Sequence, residues 1–249
     1  MKTIHYFLLI LLVLTSCNRG NVDLFGGNNK TEPIEDLFSG ELITKSTINK
    51  KKERINETNT KTLGEKLLEV SVGIYVYDEN GVLFSKGSGV FIKSNIIVTN
   101  VHVIEGFSSI VAIRNTDKKR IFVTVNKVDP VHDVAILKTK NFQTSKFISI
   151  KTKFPHVGNE VWVAGAPEGL DGTISNGIIS AIRKEKPFDF DLIQFTAPIS
   201  FGSSGGPIIN TDFELIGITV SGIDRNDAQN LNFAVPSKYI SHLLDEENN

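Results

Sequence analysis

Apolar residues follow three regimes along this chain: a short continuous run over residues 6–14, a long stretch without a period, and then brief alternating segments to the end. The third regime begins at Leu63, where Thr62-Leu63-Gly64-Glu65-Lys66-Leu67-Leu68 reads as a short helical lead-in. Val70, Val72, Ile74 and Val76 then alternate with Ser71, Gly73, Tyr75 and Tyr77, the period of a half-buried strand. Asn80-Gly81 predicts a hairpin turn with a second strand after it. Ile121, Val123 and Val125 alternate with Phe122, Thr124 and Asn126 in the same way. Further strands are expected near 87–93, 96–99, 109–114, 134–138, 161–165, 178–182, 191–196, 207–211, 214–220 and 231–235. Turn residues separate most of them, among them Asn115-Thr116-Asp117, Gly158-Asn159, Asp171-Gly172 and Thr211-Asp212. Many short strands at this spacing predict an all-β barrel or sandwich. Beyond the lead-in, only the C-terminus reads as helix. It starts at Ser237 after Pro236, with Tyr239, Ile240, Leu243 and Leu244 on one face.

The first two regimes read as an address and a tether. Lys2 precedes the apolar run, and Thr15, Ser16 and Cys17 follow it, the layout of a secretory signal peptide. The run is shorter than the ~20 apolar residues a membrane span needs. Leu14-Thr15-Ser16-Cys17 resembles the bacterial lipobox, in which the cysteine is lipidated and becomes the new first residue. Several acyl chains on Cys17 would anchor the chain stably, where one would hold it only marginally. Asn, Lys, Thr, Glu and Gly dominate residues 18–61, too few of them apolar to offset the entropy of ordering. The expected organisation is a signal peptide at 1–16, a flexible polar tether at 17–61 and a folded domain at 62–249.

Composition excludes several functions. At 40% hydrophobic and 22% charged residues the chain is of ordinary globular make-up, and long enough to bury a core without disulfides. Its one cysteine, Cys17, rules out an intrachain disulfide. Five histidines are present without HExxH or CxxC, so no metal and no cofactor is expected. A net charge of −1 gives no sign of a nucleic-acid partner.

Three segments carry candidate chemistry. Ile97-Val98-Thr99-Asn100-Val101-His102 is an apolar strand that delivers a histidine at a polar turn. Histidine is the usual general base because it titrates near working pH. In His132-Asp133-Val134-Ala135-Ile136-Leu137 an aspartate immediately precedes an apolar strand. A buried carboxylate there can accept an imidazole N–H and fix its tautomer. Gly202-Ser203-Ser204-Gly205-Gly206-Pro207 holds a serine among glycines, which let backbone N–H groups approach a substrate carbonyl. The order His, Asp, Ser is that of chymotrypsin, unlike subtilisin or the α/β-hydrolases.

These motifs resemble the trypsin-like serine proteases of the HtrA/DegP type. That family's histidine motif is close to TNAHV, here Thr99-Asn100-Val101-His102-Val103. Its DLALLK is similar to Asp133-Val134-Ala135-Ile136-Leu137-Lys138, and its GNSGGP to residues 202–207. Gly87-Ser88-Gly89-Val90, Ser175-Asn176-Gly177-Ile178 and Asn232-Phe233-Ala234-Val235-Pro236 add to the likeness. The resemblance implies two six-stranded antiparallel β-barrels with the triad His102, Asp133 and Ser204 between them. It implies an oxyanion hole from the N–H groups of Gly202 and Ser204. It also implies a strand edge at Thr219, Val220 and Ser221 that pairs with peptide substrate.

Departures sharpen the expectation. Ser203 stands where the family has Asn, which sets a second hydroxyl beside Ser204. Six residues before Ser204, where trypsin carries the acid that selects Lys or Arg, this chain has Pro198. Cleavage after small or medium apolar residues is therefore expected. Thirteen residues follow Pro236, room for the final helix, so no PDZ domain is expected after it. The resulting expectation is a serine endopeptidase of the bacterial cell envelope, lipid-anchored through Cys17, acting on polypeptides in envelope protein quality control, with an oligomer admitted. The competing readings are a latent enzyme and a non-catalytic peptide-binding module on the same fold.

Overall fold

The computed structural model describes residues 61–166, 172–184, 190–220 and 231–245. The leader, Cys17 and all of the expected tether except Lys61 lie outside them. Helix α1 (Leu63–Val70) opens the domain with a capping box. The Thr62 hydroxyl accepts from Glu65 N–H while the Glu65 carboxylate accepts from Thr62 N–H. Leu67 and Val70 are its buried anchors.

Six strands form the first barrel: β1 (Ser71–Tyr77), β2 (Leu83–Lys93), β3 (Ile96–Thr99), β4 (Ser109–Arg114), β5 (Arg120–Asp129) and β6 (Val134–Thr139). They close in the order β1-β2-β3-β6-β5-β4. The β1–β2 turn is longer than a two-residue Asn-Gly hairpin. The Asp78 carboxylate accepts the N–H groups of Asn80 and Val82, and Gly81 takes a left-handed φ of 74°. The second barrel uses β8 (Glu160–Gly165), β9 (Thr173–Lys184), β10 (Asp191–Phe195), β11 (Pro207–Ile209), β12 (Glu214–Val220) and β13 (Asn232–Pro236). The β11–β12 pairing closes this ring, and the two-residue strand β7 (Ser149–Ile150) adds to β12 in parallel. Helix α3 (Ser237–Asp245) follows β13 directly.

The period-two pattern explains how two barrels share one interior. Along β6, Ala135 and Leu137 fill the first barrel, while Val134 and Ile136 face a core between the barrels. In β3, Ile97 faces inward and Val98 faces the junction. Ala164, Leu215, Ile218 and Val235 come to that junction from the second barrel, with Leu67 of α1 and Ile240 of α3. A third cluster, including Val161, Val163, Ile193, Phe195 and Ile208, fills the second barrel. This is why 87–92 is buried without alternation: both faces of that part of β2 meet apolar neighbours.

Two elements depart from the sequence reading. Val70 closes α1 and does not open β1, because the helix extends to meet its buried face. Residues 101–104 form a single helical turn, α2 (Val101–Ile104), instead of continuing as loop or strand.

Candidate active site

The register between β3 and β6 brings the histidine and aspartate segments together. Thr99 pairs with Ala135, so the residues just beyond each strand end face each other. Asn100 precedes α2 without capping it. Its buried amide donates instead to the Asp133 carbonyl, at 2.8 Å. Asp133 takes a left-handed φ of 56°, a conformation that Asp tolerates better than most residues. Its carboxylate then accepts twice from one residue: Oδ1 from His102 N–H at 3.0 Å, and Oδ2 from His102 Nδ1 at 2.6 Å. Since an ionised carboxylate only accepts, Nδ1 carries the hydrogen and the neutral ring keeps its lone pair on Nε2. The His102 side chain is 33% exposed and that of Asp133 14%, so the base is reachable while its partner is sheltered.

The neighbouring His132 has a different partner. Its Nδ1 lies 2.5 Å from Asp129 Oδ2, and Asp129 Oδ1 accepts the N–H groups of Val131 and His132. Two Asp–His pairs thus stand on either side of the peptide bond between His132 and Asp133.

The serine segment begins with a turn in which Ser203 N–H donates to the Ser200 carbonyl at 3.0 Å. Of its two central residues only Gly202 has positive φ, at 92°, which makes this a type II turn and favours glycine there. Gly205 and Gly206 are needed for a different reason. A Cβ on Gly205 would lie 2.3 Å from both the Ser88 carbonyl and Thr99 Oγ1, and one on Gly206 would lie 2.2 Å from the Ala164 carbonyl. The chain after Ser204 therefore presses directly against Thr99-Asn100, the approach to His102. Gly87 makes the same junction from below: its Cβ position lies 2.6 Å from Val103 of α2 and 3.0 Å from the Ser204 carbonyl.

Ser88 ties these parts together, a role the sequence did not reveal. Its N–H donates to the Ser204 carbonyl at 2.8 Å and its hydroxyl to the Gly202 carbonyl at 2.7 Å. The same oxygen accepts from Ala166 N–H at 3.0 Å, and the Ser88 carbonyl accepts from Thr99 Oγ1 at 2.7 Å. The available signal was its place in Gly87-Ser88-Gly89, where both glycines lie close to neighbouring chain.

Both serines of the loop are buried. Ser203 is buried, packs against Gly165 and lines a cavity of about 370 Å³ with Val163, Ile174, Pro198 and Ile199. Pro198 is exposed, and its carbonyl accepts from the Ser175 hydroxyl at 2.7 Å. Thr219 departs from the expected peptide-pairing edge. It is buried, its N–H donates to the Gly206 carbonyl, and its carbonyl accepts from Gly205 N–H, both at 2.8 Å. Its backbone groups are engaged in holding the serine loop, so the expected edge starts at Val220. Ser221 lies outside the described residues, as does Cys17. Among the described residues no helix is long and apolar enough to cross a membrane.

Several known proteins are similar to this chain in sequence or fold. Residues 87–218 match the trypsin-like peptidase domain family. The chain is 31% identical over 169 residues to the mitochondrial serine protease HTRA2 of Drosophila grimshawi, covering 65% of this chain and 39% of that one. It is 34% identical over 169 residues to a probable periplasmic serine endoprotease, DegP-like, of Halomonas elongata, covering 66% of this chain and 35% of that protein. The chain thus spans well under half the length of these relatives. Among solved structures, the serine endoprotease from Yersinia pestis aligns with a TM-score of 0.63 at 26% identity, covering 76% of this chain and 67% of that one.

Proposed function

This chain belongs to the trypsin-like peptidase domain family, and we propose that it is a serine endopeptidase with His102, Asp133 and Ser204 as its triad. The observation that carries the reading is the doubly bonded Asp133–His102 pair, which leaves Nε2 as the free base. In the proposed reaction Ser204 Oγ bonds to the scissile carbonyl carbon while its proton passes to His102 Nε2. Asp133 stabilises the imidazolium that forms. The C–N bond then breaks as that proton moves to the leaving amine, and water repeats the sequence to release the acid. The N–H groups of Gly202 and Ser204 donate to no acceptor among the described residues, which supports their role toward the developing oxyanion. Ser203 packed against Gly165 supports Ser204 as the nucleophile.

The finer reading follows from the same residues. Pro198 lines the cavity, and among the described residues no acid lines it, so cleavage after small or medium apolar residues is proposed, with substrate pairing along Val220 and Ser221. The lipobox-like end of the leader supports a lipid anchor on Cys17 and an envelope location, with misfolded envelope polypeptides as substrates. A fluorophosphonate probe applied to the full chain tests the core of this proposal. Labelling that is lost in Ser204→Ala is expected. No labelling under any condition would overturn it in favour of a peptide-binding module, and labelling only in the presence of peptide would mark a latent enzyme. Faster cleavage of peptides ending in Arg than of those ending in Ala or Val would overturn the specificity.

A further inference from the structure

We propose that His132 is a positioning residue: clamped between the Asp129 carboxylate and the Tyr239 ring, it fixes the turn that carries Asp133. The seating of the C-terminal helix thereby becomes part of the active-site geometry. The proposal rests on the reading of Asp133 and His102 as the catalytic pair.

The observations come from three elements that meet at one ring. From its own turn, Asp129 holds His132 by the backbone and by Nδ1. From α3, Tyr239 stacks on the imidazole with ring centres 3.8 Å apart and planes at 17°. Just ahead of β10, Phe190 meets the imidazole edge-on at 4.9 Å and Tyr239 at 5.6 Å. Tyr239 is itself fixed, because its hydroxyl accepts from Asp191 N–H at 3.2 Å. Lys238, bonded to the Asp191 carboxylate at 2.8 Å, lies over the Tyr239 ring. A second tie runs from β5, where Lys127 Nζ donates to the Leu243 carbonyl near the end of α3, at 3.0 Å.

This clasp acts on Asp133 through a short, stiff lever. A single planar peptide unit joins the two residues, so only ψ of His132 and φ of Asp133 can turn between their α-carbons. Asp133 sits in the left-handed region, which surrounding structure must hold. On one side the Asn100 amide and the two His102 groups hold it. On the other it is flanked by the clamped His132 and by buried Val134, which pairs with Asp129 where β5 meets β6. Asp129–His132 repeats the bonding of Asp133–His102, one oxygen to a backbone N–H and one to the ring, so each half of the turn is locked by its own pair.

The test uses the full chain, with steady-state kinetics and the imidazole N–H resonance of His102 as two readouts. His132→Ala and Tyr239→Ala should each lower kcat by about 10- to 100-fold with KM within about twofold, as a small misplacement of a catalytic group does. The double variant should be no worse than the poorer single one, and Tyr239→Phe should restore the rate lost in Tyr239→Ala. His132→Phe keeps the stack and the fold but lacks the bond to Asp129, and should lose about three- to tenfold in kcat. In each impaired variant the downfield proton of the His102–Asp133 bond should shift or broaden. A wild-type chain that hydrolyses peptide, with variants that keep kcat within twofold and an unmoved resonance while only Tm falls, overturns the inference and leaves the endopeptidase reading intact. A wild-type chain without hydrolysis overturns that reading instead, and the resonance alone then decides whether His132 positions Asp133.

Discussion

Replacing Ser88 by alanine removes one oxygen and, with it, two hydrogen bonds that hold the far side of the serine loop. The hydroxyl donates to the Gly202 carbonyl at 2.7 Å and accepts from Ala166 N–H at 3.0 Å, and Ser88 is 1% exposed. Water cannot easily replace it, so the carbonyl and the N–H each lose a partner in a buried place. A buried unsatisfied group costs about 1–3 kcal/mol, and relaxation at one of the two sites brings the sum to about 2–3 kcal/mol. For a domain of this size that lowers Tm by about 4–12 °C. The effect on rate is separate. With its carbonyl released, the Gly202–Ser203 peptide can turn, which breaks the Ser203 N–H bond to the Ser200 carbonyl and frees the turn that aims Gly202 N–H; the loss of one oxyanion donor costs about 10²–10³ in kcat. The expected loss is about 10- to 100-fold, which corresponds to about 90–99% of the molecules in the turned state. Calorimetry and peptide hydrolysis at a temperature well below both transitions measure the two effects independently. A variant that loses stability as expected but keeps kcat within twofold would refute the claim that Ser88 sets the loop for catalysis.

Gly205→Ala should abolish activity and destabilise the fold, since the added methyl meets backbone oxygen at 2.3 Å and φ is 82°; an active, folded variant on peptide hydrolysis would show that the loop can move away from Ser88. Asp117 should titrate at about 2, because the Arg114 guanidinium bonds its carboxylate and the Lys119 N–H adds to it. Its depressed value means that the contribution to stability is present above the ordinary carboxylate range and is lost as pH falls toward about 2. Carboxyl resonances followed by NMR, with Arg114→Ala as comparison, check this, and an Asp117 value unaffected by the substitution would refute the cause.

Much of the β architecture was legible from short apolar segments set between turn residues. Strand β5 shows buried Ile121 and Val123 between exposed neighbours, and β4 and β12 begin and end at the expected residues although neither alternates in burial. The pattern fails where an element is too short or doubly covered. Two-residue β7 offers no period, and it exists because Leu215 and Glu214 find Ile150 and Ser149 beside them. The apolar run from β3 into α2 reads as one segment, although a single helical turn redirects it. The site shows the same division. Glycine-flanked Ser204 and strand-leading Asp133 carry local signals. Ser88 and the Asp129–His132 clasp do not, because their partners lie far along the chain: Gly202 is 114 residues from Ser88 and Tyr239 more than a hundred from His132.

Which histidine serves Asp133 is the clearest case of a question that register answers and proximity in sequence does not. His132 is bonded covalently next to Asp133, yet adjacent residues at a turn point apart, and its ring is drawn toward Asp129 and Tyr239. His102 is 31 residues away, but antiparallel pairing of Thr99 with Ala135 brings its helical turn over the carboxylate. The serine loop reaches the same point from the other barrel through Ser88 and Gly205, whose contacts cross the junction. Each approach depends on the apolar core that the barrels share, where Val98 and Val134 meet Ile218 and Val235. Neither barrel holds all three groups, so the site comes into being only when that junction closes.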